Sequence, residues 1–138
     1  MKPFVYLLGI VGIGLCSCES ETYANYEIQN NCNYNINYSY VDISYDYVTY
    51  DNIYDTITQT LYAGTNQNIG YYSKRGKQLT VINPTEVIGD YFIITNDKGD
   101  TCKLDVKELS SWYITMSNSK SVAEHNYVLE IDSTDFGK

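Results

Sequence analysis

Between Cys32 and Tyr40 the chain reads Cys-Asn-Tyr-Asn-Ile-Asn-Tyr-Ser-Tyr, a strict alternation of apolar and polar side chains. Cys32, Tyr34, Ile36, Tyr38 and Tyr40 fall on one side of an extended backbone, and Asn33, Asn35, Asn37 and Ser39 on the other. A period of two belongs to a half-buried β-strand, because successive side chains of a strand point to opposite faces. Helical periodicity is nearly absent from the rest of the chain, so the same pattern governs the fold. From Val41 the apolar positions become odd-numbered, at Val41, Ile43, Tyr45 and Tyr47. A one-residue change of phase predicts a β-bulge or a turn near Tyr40 and Val41.

Further strands are expected around Tyr23–Asn30, Asp55–Tyr62, Asn68–Ser73, Gln78–Ile82, Tyr91–Thr95, Thr101–Val106, Ser111–Met116 and Asn126–Ile131. Turn-forming clusters separate them at residues 63–66, 74–77, 83–90 and 96–100. Residues 85–88 suit a single helical turn. About eight or nine short strands with tight connections predict an all-β fold, an antiparallel sandwich (Ig-like or similar) or a small barrel. No linker or internal repeat divides this region, which reads as one domain over residues 23–138.

The N-terminus has a different character. Met1-Lys2-Pro3 carries one positive charge, and Phe4–Leu15 follows as an apolar run. Twelve helical residues span about 18 Å, short of the roughly 30 Å hydrocarbon core of a bilayer. That is the length of a signal-peptide core rather than of a membrane-spanning helix. The residues that follow, Leu15-Cys16-Ser17-Cys18, resemble the lipobox of bacterial lipoproteins, with a branched apolar residue at −3, a small one at −1 and cysteine at +1. Cys16 fits less well, because Leu15 would then stand where a small side chain is needed. The resemblance implies cleavage after Ser17, removal of residues 1–17, and lipidation at Cys18. Acyl chains bury about 0.8 kcal/mol per methylene, so two or three of them anchor stably. Residues 18–22 are then a short tether. Its Glu19, Ser20 and Glu21 resemble the acidic signals that send lipoproteins of the Bacteroidetes to the cell surface.

Removing the leader takes one positive charge, Lys2, from a chain whose formal net charge is −8. Such an acidic surface argues against nucleic acid and against direct binding of anionic headgroups. Past Cys18 two cysteines remain, Cys32 and Cys102. In an oxidising compartment they are candidates for one disulfide; otherwise they are two separate buried thiols. Two cysteines and one histidine fall short of the four nitrogen or sulfur ligands that zinc prefers. No cofactor motif is present.

The segments Tyr26–Ile36, Ile57–Gly76 and Tyr127–Phe136 resemble, as patterns, small β-sandwich lipoproteins of gut Bacteroidetes. In those proteins the opening strand ends in a paired asparagine, a glycine turn precedes a Tyr-Tyr-Ser strand, and the last strand ends in an acidic and aromatic pair. Cys32 departs from the pattern, where a small polar residue is usual. The resemblance implies an outer-membrane location and carries over no functional residues.

For chemistry the sequence offers little. His125 is the only histidine; it has no recognisable nucleophile context and is expected on the surface or at a strand edge. The aspartates at 42, 46, 51 and 55 lack the register of a calcium loop and read as a solvated strand face. Tyrosine is the unusual feature, sixteen in all and nine of them between Tyr23 and Tyr54. Tyr38, Tyr40, Tyr45, Tyr47 and Tyr50 occupy both phases of one region, so some face outward. An exposed tyrosine offers a flat apolar ring with a hydrogen-bonding tip, suited to sugars and to proteins alike. Trp112 is expected in the core. The reading that follows is a non-catalytic, lipid-anchored protein of the outer membrane, at the cell surface or on the periplasmic face. It would have a binding or structural role through its tyrosine-rich surface, with an envelope protein as partner. The alternatives are a glycan-binding accessory of a polysaccharide-uptake system and a small hydrolase.

Overall fold

The computed structural model of the chain describes residues 20–76 and 78–137. Seven strands form two sheets. They are β1 (Glu21–Asn30), β2 (Ile36–Asp46), β3 (Asp51–Leu61), β4 (Asn66–Arg75), β5 (Phe92–Asn96), β6 (Tyr113–Asn118) and β7 (Val122–Ile131). One sheet has the order β4-β1-β7-β6 and the other β3-β2-β5. The fold is all-β, as expected, with seven strands among the described residues rather than eight or nine. A single helical turn, α1 (Thr85–Ile88), lies where the sequence placed one, opened by Pro84 and ended at Gly89.

Both sheets contribute to one hydrophobic cluster. Ala24, Tyr26 and Ile28 of β1 and Tyr127, Leu129 and Ile131 of β7 meet Ile36 and Tyr38 of β2 and Phe92 and Ile94 of β5. Trp112 lies in this cluster too, its indole N–H donating to the Val106 carbonyl at 2.9 Å. In β1 and β7 the burial alternates residue by residue, the result expected for strands with one face on the core.

Three expectations are corrected. First, β1 and β7, the first and last strands, pair in parallel over ten rungs from Glu21 and Val122 to Asn30 and Ile131, whereas every other named pair is antiparallel. Second, Gln78–Ile82 is not a strand: its backbone bonds to side chains of the larger sheet, the Leu79 N–H donating to Thr22 Oγ1 at 2.9 Å and Ile82 meeting two tyrosines. Tyr26 Oη donates to the Ile82 carbonyl at 2.9 Å, and the Ile82 N–H donates to Tyr127 Oη at 3.0 Å. The two rings are stacked with centroids 4.4 Å apart, and burial pushes the Tyr26 hydroxyl far above its usual range. Third, Thr101–Val106 forms one bridge, Thr101 to Thr95, before the Lys103 N–H turns to the Asp135 carbonyl.

The domain also begins earlier than expected. Glu21 and Thr22, assigned to the tether, are the first residues of β1: Glu21 pairs with Arg75 at 2.9 Å and Thr22 is fully buried.

Candidate functional site

The longest antiparallel pair, β2 with β3, is in register for eleven rungs from Ile36–Leu61 to Asp46–Asp51 without a shift. The bulge expected at Tyr40 and Val41 is therefore absent. What changes there is the neighbour. β5 pairs with β2 only from Ile36 to Tyr40, so beyond Tyr40 the two strands continue as a ribbon without a third strand. Six residues at about 3.3 Å each carry it about 20 Å past that last rung. With no core to face, the apolar residues can move to the opposite side while the backbone stays regular.

The ribbon is consequently two-faced. Residues directly opposite in an antiparallel pair share a face. Val41, Ile43 and Tyr45 lie opposite Thr56, Tyr54 and Asn52 on one side. On the other, Asp42 lies opposite Asp55 and Asp46 opposite Asp51, with Ser44 opposite an exposed Ile53 between these acidic rungs. No lysine or arginine occurs in the sequence from Pro3 to Ser73. Like charges across a ladder are destabilising, so the acidic side has no structural gain of its own to explain it.

Residues 47–50 close the ribbon. The Asp46 carboxylate accepts the Val48 amide at 2.7 Å and the Thr49 amide at 3.4 Å, and these bonds hold its carboxyl below the usual range. Tyr50, with φ at +60°, takes the left-handed conformation that a bulky residue rarely adopts. Tyr47 and Tyr50 are 80% and 76% exposed, and Tyr45 stacks edge-on to Tyr47 at 5.0 Å.

The five tyrosines expected at a contact surface thus divide. Tyr45, Tyr47 and Tyr50 are exposed on the ribbon. Tyr38 is corrected to a core residue, packed on Phe92 with ring centroids 5.8 Å apart and donating to Gln59 Oε1 at 2.5 Å. Tyr40 is half-buried beside it. Tyr54 belongs with the exposed group although the sequence did not single it out; the polar Asn52 and Thr56, which share its face, were the available signal.

A second feature was missed altogether. On the outer face of the larger sheet, Tyr23 and Tyr71 stack with centroids 6.1 Å apart beside Asn25, whose amide donates to Asn126 Oδ1 at 3.3 Å. With Glu124 they line a shallow depression of about 440 Å³.

His125 is buried, not at the surface, because β7 begins at Val122 and the parallel pairing with β1 puts its odd-numbered residues on the core face. Its Nδ1 lies 3.2 Å from Tyr127 Oη, its Nε2 has no partner, and burial holds its pKa below the usual value. Cys32 and Cys102 are free thiols, the first buried and the second half-buried. Burial raises both, and the Cys32 thiol is near enough to add to the rise at Cys102. Among the described residues no three His, Cys, Asp or Glu side chains converge as metal ligands. Cys18 lies outside the described residues. No helix of the described residues is long and apolar enough to cross a membrane. The chain matches no protein-family model, no curated protein and no solved structure.

Proposed function

We propose that this protein is a lipid-anchored lipoprotein of the bacterial envelope that acts by binding, without catalysis, and that the β2–β3 ribbon is its contact surface. The observation that carries the binding role is the ribbon itself: paired strands projecting beyond the core, with Tyr45, Tyr47, Tyr50 and Tyr54 exposed. Exposed aromatics concentrated on a projecting element add little to folding and suit recognition. The anchor rests on the lipobox at Leu15–Cys18. Three residues of chain span at most about 10 Å, so an acyl group on Cys18 holds β1, which begins at Glu21, close to the bilayer.

Two measurements test this reading. Radiolabelled palmitate should enter the wild-type chain in cells and be lost in Cys18→Ala; equal labelling of both refutes the anchor. A photo-crosslinking amino acid at position 47 should give a discrete adduct in intact cells, whereas one at exposed Lys98 should not. Identical patterns at the two positions refute the ribbon as contact surface.

The depression at Tyr23 and Tyr71 favours a second reading, a glycan-binding accessory, because stacked aromatic rings flanked by amides match the apolar faces and hydroxyls of a sugar. Sugar affinity lost in Tyr71→Ala but kept in Tyr47→Ala would select it.

A further inference from the structure

We infer that the open edge of β2 beyond Tyr40 is a docking groove for an extended segment of a partner protein in which basic and apolar residues alternate. The inference rests on the ribbon being a contact surface and names what the ribbon contacts.

The groove arises from the way the chain enters β5. Had the backbone run straight back from Phe92, residues 89–91 would have paired with β2 past Tyr40. Gly89 turns it aside instead, at φ +70° and ψ −167°, a conformation open to glycine and to few other residues. Hydrogen bonding between β5 and β2 stops at the Tyr40–Phe92 rung, and no backbone hydrogen bond joins Val41–Asp46 to residues 85–91. β2 therefore keeps a row of unpaired backbone groups along this side while its other side is fully paired to β3. An unpaired edge of this kind is a template for an added strand.

The gap beside that edge is hollow on both sides. One cavity, about 270 Å³, lies on the side of Asp42 and is walled by Ile69, Val87 and Ile88; the other, about 230 Å³, lies against Val41, Ile43, Tyr54 and Tyr91. The first is lined by polar and apolar groups in about equal measure, and the second is mostly apolar. The charged groups at their margins are Asp42 and Glu86 in the first and Asp90 in the second, and among the described residues neither cavity has a lysine or arginine in its wall. Among the described residues none of these three carboxylates is in an ion pair; the ion pair present there is Arg75 with Glu21.

These features set the occupant's pattern. A residue opposite Asp42 or Asp46 shares the acidic face, whereas a residue opposite Val41, Ile43 or Tyr45 shares the apolar one. A strand lying along the edge thus matches its surroundings when every second side chain is basic and the others are apolar. Alternation reads the same in both directions, so the match holds for parallel and antiparallel docking. A second copy of this chain is a poor fit, since it brings more carboxylates to an acidic margin and carries a net charge of −8 itself.

The test uses the full chain in a nonionic detergent and a fluorescein-labelled octapeptide of alternating valine and lysine, capped at both ends. Its isomer, four valines followed by four lysines, has the same composition and charge. The alternating peptide is expected to bind at least tenfold more tightly, and to slow hydrogen exchange of the amides at 41–46. Ile43 is 60% exposed, so Ile43→Lys should keep the fold, read as an unchanged melting profile, and weaken binding at least tenfold. Asp42→Asn serves as the milder second variant. Equal binding of the two isomers overturns the inference, reducing it to attraction between opposite net charges. So does slowed exchange at β3 instead of 41–46, or slowed exchange at 41–46 without peptide through self-association, which would make a second copy the occupant. Lys98, exposed in the turn after β5 and outside both cavities, is the control: Lys98→Ala should leave peptide binding intact. Cross-links at position 47 without peptide binding sink this inference alone; peptide binding without those cross-links sinks the tip contact alone.

Discussion

His125 places one imidazole edge in the core with no partner for Nε2, so the ring is held neutral and its pKa lies below the ordinary value of 6.5. A group depressed in the folded state contributes stability that is fully present above its unfolded pKa. That contribution is lost as pH falls from about 6.5 towards the folded value. His125 is the chain's only histidine, and aspartates and glutamates titrate mostly below this window. The wild-type chain should therefore lose stability to urea between pH 7 and pH 5. His125→Leu should flatten that dependence; a variant with the same pH slope as wild type would show that another group is responsible. The position was legible, since Ala123, His125, Tyr127, Leu129 and Ile131 keep one phase. Glu124, His125 and Asn126 together look too polar to begin a buried strand, and the parallel neighbour that extends β7 to Val122 is invisible in sequence.

At the scale of the element, the ribbon shows what alternation can and cannot convey. The change of phase at Val41 was a true signal, read as a backbone irregularity because a strand was assumed to keep one face on a core throughout. It marks instead where the core ends. The missing strand at Gln78–Ile82 failed for a different reason: the hydroxyls of Thr22, Tyr26 and Tyr127, some fifty residues away on either side, take the Leu79 and Ile82 peptide groups that a neighbouring strand would need. Nothing local announces that. The turn of the ribbon carries its own prediction. A left-handed backbone costs a bulky residue about 1–2 kcal/mol, and Tyr50, exposed, recovers none of this by burial. Part of that gain is returned because glycine is more flexible when unfolded. Tyr50→Gly should then raise the urea midpoint by an amount equivalent to up to about 1 kcal/mol, while reducing cross-linking at position 47. A lower midpoint would mean that Tyr50 stabilises the turn and has been kept for that reason.

For the whole molecule, the decisive fact is that β1 pairs with β7 in the middle of the larger sheet. The sheet cannot close until the last strand has been made, and most of the chain is the loop that must be closed. Fold class was legible from period and turn spacing; strand order was not, because pairing between the two ends leaves no mark on either. Refolding should fall in the slow range of all-β domains, milliseconds to seconds. A chain ended after Asn118 should lack near-ultraviolet circular dichroism from Trp112, since β1 and β6 both lose their shared neighbour. A native-like spectrum would show that β1 and β4 suffice to hold the core.

The same parallel pair governs how the protein responds to tension. The chain enters β1 at one end of the sheet and leaves β7 at the other, so pulling on its two ends drags these adjacent strands past one another along their own axes. Their ladder hydrogen bonds then resist in shear, all together, rather than peeling one at a time as in a hairpin. A domain tethered at Cys18 and tugged from its C-terminal end would hold by this clasp, and the rest of the fold would feel the force only after β1 and β7 had slipped.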